Sequence, residues 1–236
     1  MVNVTQEQLR VENNIHEVVE SHLKGEFPLL AANKKVVELI REAYRNGIFS
    51  KKDLECFDHR RDKLDGSKPR TPVKFIIDLK QRHEREHVTF LHFYDWCIKE
   101  FNEKFGWRAI GSDMRGKVMI ANFWQRYDCP SEPDYKVWPA KREKEMMFVE
   151  VKNLGEKHWF KVYNLRKYAK RNAVVVVGSG GLYYLYRSKT IPKLLKIRST
   201  AYKKKWGTDC IVVSQDGANA HFNLQGLIKR KKVIVI

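Results

Sequence analysis

Two short motifs in this sequence carry side chains that could do chemistry together. One is Pro133-Asp134, and the other is Glu150-Val151-Lys152, which begins 16 residues after Asp134. Two carboxylates that converge make a hard oxygen site of the kind that Mg²⁺ prefers. An ammonium group beside such a pair is costly to bury, so its presence indicates a purpose. The residue types therefore indicate a magnesium site with a cation next to it.

The second motif lies in an apolar run, Met147–Val151, that predicts a β-strand. Alternate side chains of a strand point to the same face, so Glu150 and Lys152 should point one way. The valines on either side of Glu150 should point the other way, into the packed core. Asp134 should then come from the neighbouring strand or from the loop that enters it.

These motifs, with the order helix, strand, strand, helix, strand predicted around them, resemble the PD-(D/E)xK nuclease superfamily. That superfamily includes restriction endonucleases, Holliday-junction resolvases and repair exonucleases. The resemblance covers about residues 80–190. It implies an α/β fold with a restriction-endonuclease-like core, in which helices flank a central mixed sheet. It also implies a metal-dependent endonuclease that hydrolyses the phosphodiester bonds of DNA, of the restriction, junction-resolving or repair type.

The resemblance implies a role for each residue of the motifs. Asp134, Glu150 and the carbonyl of Val151 would hold one Mg²⁺ or Mn²⁺ ion. Lys152 would position the attacking water and help to neutralise charge on the phosphorane. The family pattern also has an acidic residue on the helix before the first strand, and Glu86 fits it, as a ligand either directly or through water.

A polar residue and a tyrosine often follow on the next helix in this family, as Gln-x-x-x-Tyr. In this sequence Asn164 and Tyr168 occupy the corresponding positions, with asparagine in place of glutamine. Both are candidate accessory residues of the site.

Three other groups of residues could carry chemistry, and each fits less well. His83 and His87 have a spacing that suits a metal on a helix, but the segment is not H-E-x-x-H. Asp113 and Asp128 lie in predicted loops without a paired lysine. Gly178–Gly181 follows an apolar strand but lacks both the Walker lysine and the G-x-G-x-x-G pattern, which favours a plain turn.

The whole chain is strongly basic. Its 236 residues have a formal net charge of +18 and a pI of about 9.7, which favours capture of polyanions. DNA is the expected partner, while RNA and a homodimer stay open as alternatives. The candidate nucleic-acid-binding residues form two basic clusters: Lys203, Lys204, Lys205 and Trp206, and, nearer the C-terminus, Lys229 and Arg230. The alternative for either cluster is an exposed, solubilising strand edge.

Other function classes receive less support. The polar N-terminus predicts no signal peptide, and no apolar run is long enough to span a bilayer, so no membrane partner is expected. Cys56, Cys97, Cys129 and Cys210 form no CxxC pair, so neither zinc nor a disulfide framework is expected. A cytoplasmic location fits best. The alternative from another class is a non-catalytic basic nucleic-acid-binding protein whose acidic residues only pair with lysines.

The pattern along the chain predicts a helical N-terminal region, residues 1–70, followed by a nuclease-like domain, residues 71–236. Thr5, Asn33 and Ser50 are the predicted cap residues of the first three helices. Two of these helices could form a helix-turn-helix that adds DNA specificity, or only a helical hairpin that buries its own core.

Further elements follow from the same signals. Residues 58–70 predict a linker or a loop, and Thr71-Pro72 opens a long helix whose apolar stripe continues to Phe105. Another helix is predicted over His158–Arg171. The predicted strands are Lys117–Trp124, Met147–Val151, Ala173–Val177, Leu182–Tyr186, Cys210–Val213 and Val233–Ile236.

Overall fold

The computed structural model describes residues 5–63, 70–110, 133–155, 157–196, 200–203, 208–213 and 220–222. These residues form two compact units, one that ends at Gln81 and one that begins at Arg82. The division falls inside a helix, whereas the sequence pattern places a boundary at residue 70. Each unit has hydrophobic core residues of its own.

The first unit consists of helices around one core, and each helix contributes to it, for example through Ile15, Val36, Phe57 and Phe75. Its elements are α1 (Gln6–Leu23), α2 (Leu29–Arg45), α3 (Lys51–Lys63) and the start of α4 (Pro72–Phe101). Both α2 and α3 contribute to this core, and DNA reading by the pair stays a prediction. Among the described helices of either unit, none combines the length and the apolar character that a membrane span requires.

Local side-chain hydrogen bonds set the ends of two of these helices. Thr5 and Gln8 form the predicted capping box at the start of α1, with each side chain bonded to the backbone N–H of the other. Ser50 and Asp53 form the same arrangement at the start of α3, which confirms that prediction. The predicted linker after α3 is shorter than expected, because this helix continues to Lys63.

The prediction that Asn33 caps α2 is wrong. The helix begins earlier, at Leu29, because Pro28 has the extended backbone of a cap residue and its carbonyl accepts the amide of Ala32 at 3.0 Å. Asn33 lies inside α2 and caps a different helix. Its Oδ1 accepts the backbone N–H of Val73, in the first turn of α4, at 3.1 Å.

The second unit contains two sheets. Its strands are β1 (Phe105–Ala109), β2 (Tyr135–Pro139), β3 (Met147–Asn153), β4 (His158–Lys161), β5 (Val174–Ser179), β6 (Leu182–Tyr186), β7 (Thr200–Lys203), β8 (Thr208–Val213) and β9 (Ala220–Phe222). Its shorter elements are α5 (Val162–Lys170), α6 (Ile191–Leu194) and a 3-10 turn at Glu143–Glu145.

The larger sheet is mixed and has the strand order β1-β2-β3-β5-β6-β9, while the smaller has the order β4-β8-β7. In the larger sheet β3 and β5 are parallel, and the other neighbours are antiparallel. The unit is therefore mixed α/β with a mixed central sheet, as expected. The strands predicted at β3, β5, β6 and β8 are confirmed, whereas those predicted at Lys117–Trp124 and Val233–Ile236 lie outside the described residues.

The connection between β3 and β5 explains one wrong prediction. Parallel neighbours require a crossover, and here it consists of β4 and α5. The sequence predicted one helix over His158–Arg171, but its first four residues form β4. His158 and Phe160 are buried and the residues between and after them are half-buried, a two-residue alternation that suits a strand paired with β8.

The long helix α4 also ends earlier than predicted, at Phe101 rather than Phe105. Asn102 follows with a φ of +49°, a left-handed conformation that stops a helix. Phe105 begins β1, and its buried side chain joins the same core as Cys97 of α4. The apolar stripe continues past the end of the helix because both elements face that core.

The two faces of the central sheet share cores with different helices. On one face, Val149 and Val151 of β3 are fully buried in a core with Phe90 and Phe93 of α4. On the other face, the alternate valines of β5 share a core with Leu165 of α5. The side chains of β3 that alternate with its two core valines therefore point toward the α5 face.

The hydrogen bond between α2 and α4 yields a prediction for stability. Replacing Asn33 with Ala should lower the free energy of unfolding by about 1 kcal/mol, because the amide of Val73 loses its acceptor. Asn46→Ala is the control, since Asn46 is exposed and should change stability by less than about 0.5 kcal/mol. Chemical denaturation measures both variants, and equal losses would contradict the capping role of Asn33.

Candidate active site

The pairing of β2 with β3 brings the two sequence motifs together. Tyr135 pairs with Val149, which places Asp134, at the entry to β2, beside β3. The Oδ2 atom of Asp134 accepts the backbone N–H of Val151 at 2.9 Å. Asp134 therefore comes from the entry loop of the neighbouring strand, as the sequence predicted, and a hydrogen bond fixes its distance from the Glu-Val-Lys motif.

Glu150 is the buried centre of this arrangement, with a residue exposure of only 4%. Its Oε1 atom accepts the hydroxyl of Tyr168, from α5, at 2.5 Å. The ammonium of Lys152 pairs with the same oxygen, and the Lys152 side chain is 23% exposed. We call Asp134, Glu150, Lys152 and Tyr168 the Glu150 cluster. The predicted shared face of Glu150 and Lys152 is confirmed by their direct contact.

Burial and charge shift the pKa values of the cluster. Burial, and next the charge of Asp134, raise the pKa of Glu150 to about 7, although Lys152 and the Tyr168 hydroxyl oppose this rise. Burial alone would lower the pKa of Lys152, but the carboxylates around it outweigh that effect and raise it. Burial and the adjacent Glu150 hold the pKa of Tyr168 well above its ordinary value. Lys152 therefore stays charged, whereas the negative charge of Glu150 is incompletely compensated, so Glu150 loses its proton only near pH 7.

A third carboxylate, Glu86 of α4, lies near the cluster but is already paired. Its Oε1 atom accepts Nε of Arg82 at 3.1 Å, and its Oε2 atom is 3.9 Å from Nδ1 of His83. The charge of Glu86 acts on Lys152, so the two are close enough to interact. Glu86 therefore lies near the Glu150 cluster, and its predicted role as a metal ligand stays a prediction.

Arg82 is a residue of this site that the sequence analysis missed. The carboxylates of Glu86, and then of Asp134 and Glu150, raise the pKa of its guanidinium. The positive charge of Arg82 therefore interacts with the carboxylates of the cluster. Its side chain is 49% exposed, and within the described residues only Nε makes a hydrogen bond. The signal that could have revealed it is the spacing of four residues from Glu86, at which helical ion pairs form.

Close packing at Gly178 holds α4 against the end of β3. A Cβ atom at this glycine would lie 2.6 Å from Oδ1 of Asn153 and 2.6 Å from Oγ1 of Thr89, which is too close for either atom. Oγ1 of Thr89 in turn donates to Oδ1 of Asn153 at 3.0 Å. The residue after Lys152 is therefore anchored to α4, one turn from Glu86.

The oxygen atoms that remain available suit a hard divalent cation. Within the described residues, Oδ1 of Asp134 and Oε2 of Glu150 accept no hydrogen bond. No three His, Cys, Asp or Glu side chains of the described ranges come close enough together to hold a metal. Mg²⁺ commonly uses one or two carboxylates and completes its shell with water and substrate phosphate. The donor set fits that ion, with Asp134 and Glu150 as its two carboxylates.

The other candidate residues have different outcomes. Asn164 is half-buried on α5 and makes no hydrogen bond to the Glu150 cluster in the described structure, whereas Tyr168 belongs to it. Lys203 ends β7, but its side chain is not described. Asp113 and Asp128 lie outside the described residues. So do the remaining residues of the two basic clusters, which are Lys204, Lys205, Trp206, Lys229 and Arg230.

The two alternative motifs have different surroundings in the structure. His83 lies near Glu86, while Nδ1 of His87 is 3.1 Å from the hydroxyl oxygen of Tyr135, so the two histidines face different partners. Gly180 and Gly181 have φ values of +58° and +78° and form a two-residue turn between β5 and β6. The plain turn predicted for this glycine-rich segment is confirmed.

Comparisons of the chain with protein-family models, with curated proteins and with solved structures found no match.

The raised pKa of Glu150 gives folding stability a specific pH dependence. The folded protein keeps a proton on Glu150 up to about pH 7, whereas the ordinary pKa of this carboxyl is 4.5. The stabilisation that Glu150 contributes is therefore complete below pH 4.5 and is lost as the pH rises to 7, by up to about 3 kcal/mol. In metal-free buffer, the free energy of unfolding of the wild type should fall over this range relative to that of Glu150→Gln.

Denaturant unfolding at a series of pH values measures this difference. The contributions of all other titrating groups cancel in this comparison, because those groups are present in both proteins. Parallel pH profiles for the two proteins would show that Glu150 titrates normally.

Proposed function

We propose that this protein is a metal-dependent nuclease that hydrolyses DNA phosphodiester bonds at the Glu150 cluster. The observation that carries the proposal is the meeting of Asp134, Glu150 and Lys152 at one point of the sheet, with the charge of Glu150 buried. A buried carboxylate of this kind is costly unless a cation compensates it. The restriction-endonuclease-like identity of the core is part of the same proposal.

The charges around the cluster favour one more cation. Glu86, Asp134 and Glu150 supply three carboxylates, while Arg82 and Lys152 supply two positive charges. Asp134 and Glu150, with their available oxygens, would hold Mg²⁺ or Mn²⁺. With the ion bound, the site gains a Lewis acid at the scissile phosphate.

Lys152 has the position and charge that hydrolysis requires. Its ammonium is held by Glu150 and its side chain is 23% exposed, so it can orient an attacking water and balance negative charge on the phosphorane. Tyr168 keeps the Glu150 carboxylate in one orientation and is a positioning residue. Arg82, with its Nη donors available and its side chain half-exposed, is suited to a phosphate oxygen.

DNA is the substrate that the net charge of +18 supports, and RNA stays an alternative outcome of the substrate test. The competing function is a non-catalytic nucleic-acid-binding protein. The contact of Lys152 with Glu150 favours it, because such a pair could be purely structural. A panel of duplex, single-stranded, branched and RNA substrates, incubated with Mg²⁺ or Mn²⁺, separates these functions and separates sequence-specific from structure-specific cleavage.

Lys152→Ala should reduce the single-turnover cleavage rate by about a hundredfold or more, because water positioning and charge stabilisation are lost together. The fold should survive, since Glu150 can take up a proton when its partner is removed. Lys152→Arg should restore little, because a planar guanidinium does not replace a compact ammonium. Asp134→Asn and Glu150→Gln should abolish cleavage and leave DNA binding intact or tighter, since a repulsive carboxylate is lost.

The matched control is Lys136→Ala, which removes a half-buried lysine from the neighbouring strand and causes the same change in net charge. Single-turnover cleavage at saturating enzyme and metal, together with a melting curve for each variant, gives the comparison. Cleavage by Lys152→Ala at the wild-type rate would show that the contact with Glu150 is only structural, and the nuclease assignment would then fail.

DNA binding by the wild type should weaken steeply with salt, because lysine and arginine side chains displace condensed counterions from phosphates. Fluorescence anisotropy between about 50 and 200 mM salt, in the presence of a chelator to prevent cleavage, measures the slope of log K against log salt. A flat dependence would argue against a surface that follows the phosphate backbone.

A further inference from the structure

The helix α5 has two faces with different chemistry. Leu165 and Tyr168 point inward and are buried, and Tyr168 reaches Glu150. The outward stripe consists of Tyr163, Arg166, Lys167 and Lys170, at the spacing i, i+3, i+4, i+7 that places side chains on one side of a helix. We call these four residues the α5 outer face. It lies directly behind a residue of the Glu150 cluster.

The α5 outer face combines cations with an exposed aromatic ring. Tyr163 is 58% exposed, and Nζ of Lys167 lies 4.0 Å from the centre of its ring. Arg166 and Lys170 are exposed, and within the described part of the chain they pair with no carboxylate. Aromatic rings flanked by lysine and arginine are typical of surfaces that bind nucleic acid.

The surrounding segment is basic without any acidic residue. Residues 157–196 contain ten lysines and arginines and no aspartate or glutamate, whereas each of the helices α1 to α4 carries both signs. On α5 the like charges of Arg166 and Lys170 are four residues apart, a spacing at which they destabilise the helix. A face that only kept the protein soluble would gain from a carboxylate at one of these positions, so the uniform charge indicates an anionic partner.

We propose that the α5 outer face binds the phosphate backbone of DNA immediately beside the Glu150 cluster. The proposal rests on the proposed function for the identity of this ligand. The width of a helix with its side chains is about 10 Å, and neighbouring nucleotides of one strand are about 3.4 Å apart along the duplex. The phosphates held by Arg166, Lys167 and Lys170 are therefore separated from the bond at the cluster by at least the width of the helix, which corresponds to about three nucleotides or more.

This placement gives α5 two tasks on its opposite sides. Its inner tyrosine orients the Glu150 carboxylate, and its outer cations hold the backbone of the same DNA molecule. Tyr163, with Lys167 over one side of its ring, offers the other side to a sugar or an unstacked base. Contacts on one short helix thereby determine the distance between bound DNA and the cluster.

The test uses Arg166→Glu in the full chain, with Lys141→Glu as the control. Both variants change the net charge equally, and Lys141 is exposed and lies past the C-terminal end of β2, whereas Asp134 precedes its N-terminal end. The new carboxylate on α5 can pair with Lys170, so the helix should be at least as stable as before. Melting curves check this expectation, and Lys170→Gln provides a second variant that removes a cation without adding an acid.

Binding of a short fluorescein-labelled DNA duplex is measured by anisotropy with a chelator, so that no cleavage is required. Arg166→Glu should raise Kd by about tenfold at moderate salt and reduce the slope of log K against log salt by about 1 or more. Lys141→Glu should change Kd by less than about twofold. The proposal would be overturned by any of three results. These are equal effects of the two variants, unchanged binding by a folded Arg166→Glu protein, and the absence of DNA binding by the wild type. A wild type that binds through α5 but never cleaves would instead refute the nuclease function and leave this surface standing.

Discussion

The carboxylate of Glu150 has almost no contact with water, and the second unit is arranged around the need to compensate it. The Lys152 ammonium and the Tyr168 hydroxyl meet on one of its oxygens, from β3 itself and from α5. Asp134 adds negative charge instead of removing it and is held in place by a backbone N–H of β3. A buried ionic group of this kind is weak evidence for a stabilising role, which is consistent with the proposed function.

The topology of the sheet fixes the relative positions of Asp134, Glu150 and Tyr168. The parallel pairing of β3 and β5 forces the chain to cross over, and Tyr168 of the crossover helix α5 contacts Glu150 of β3. The antiparallel pairing of β2 and β3 sets the level of Asp134 along the strand to within one residue. The strands β2 and β3 and the helix α5 thus hold the polar groups of the cluster at contact distance, without a long loop.

The sequence predicted the elements whose signals are local and strong. The alternation in β3, the run of valines in β5, and the capping residues Thr5 and Ser50 all act over a few residues, and the structure confirms them. The failures depend on distant partners. The strand β4 was taken for part of a helix because its pairing with β8 is invisible along the chain, and Asn33 serves a helix about 40 residues away. The site was predicted as two motifs, one acidic helix position and the accessory residues Asn164 and Tyr168. Arg82 was missed because its place depends on how α4 approaches the cluster.

The contact at Gly178 has a consequence for how this sequence can vary. Thr89 and Asn153 occupy the space that a side chain at this position would need, and they also bond to each other. The three positions therefore cannot vary independently. A larger residue on β5 requires changes both on α4 and at the end of β3, and such an exchange would move the helix that carries Glu86. Such linked positions would leave a pattern of covariation among descendants of this chain, concentrated at three residues that take no part in the chemistry themselves.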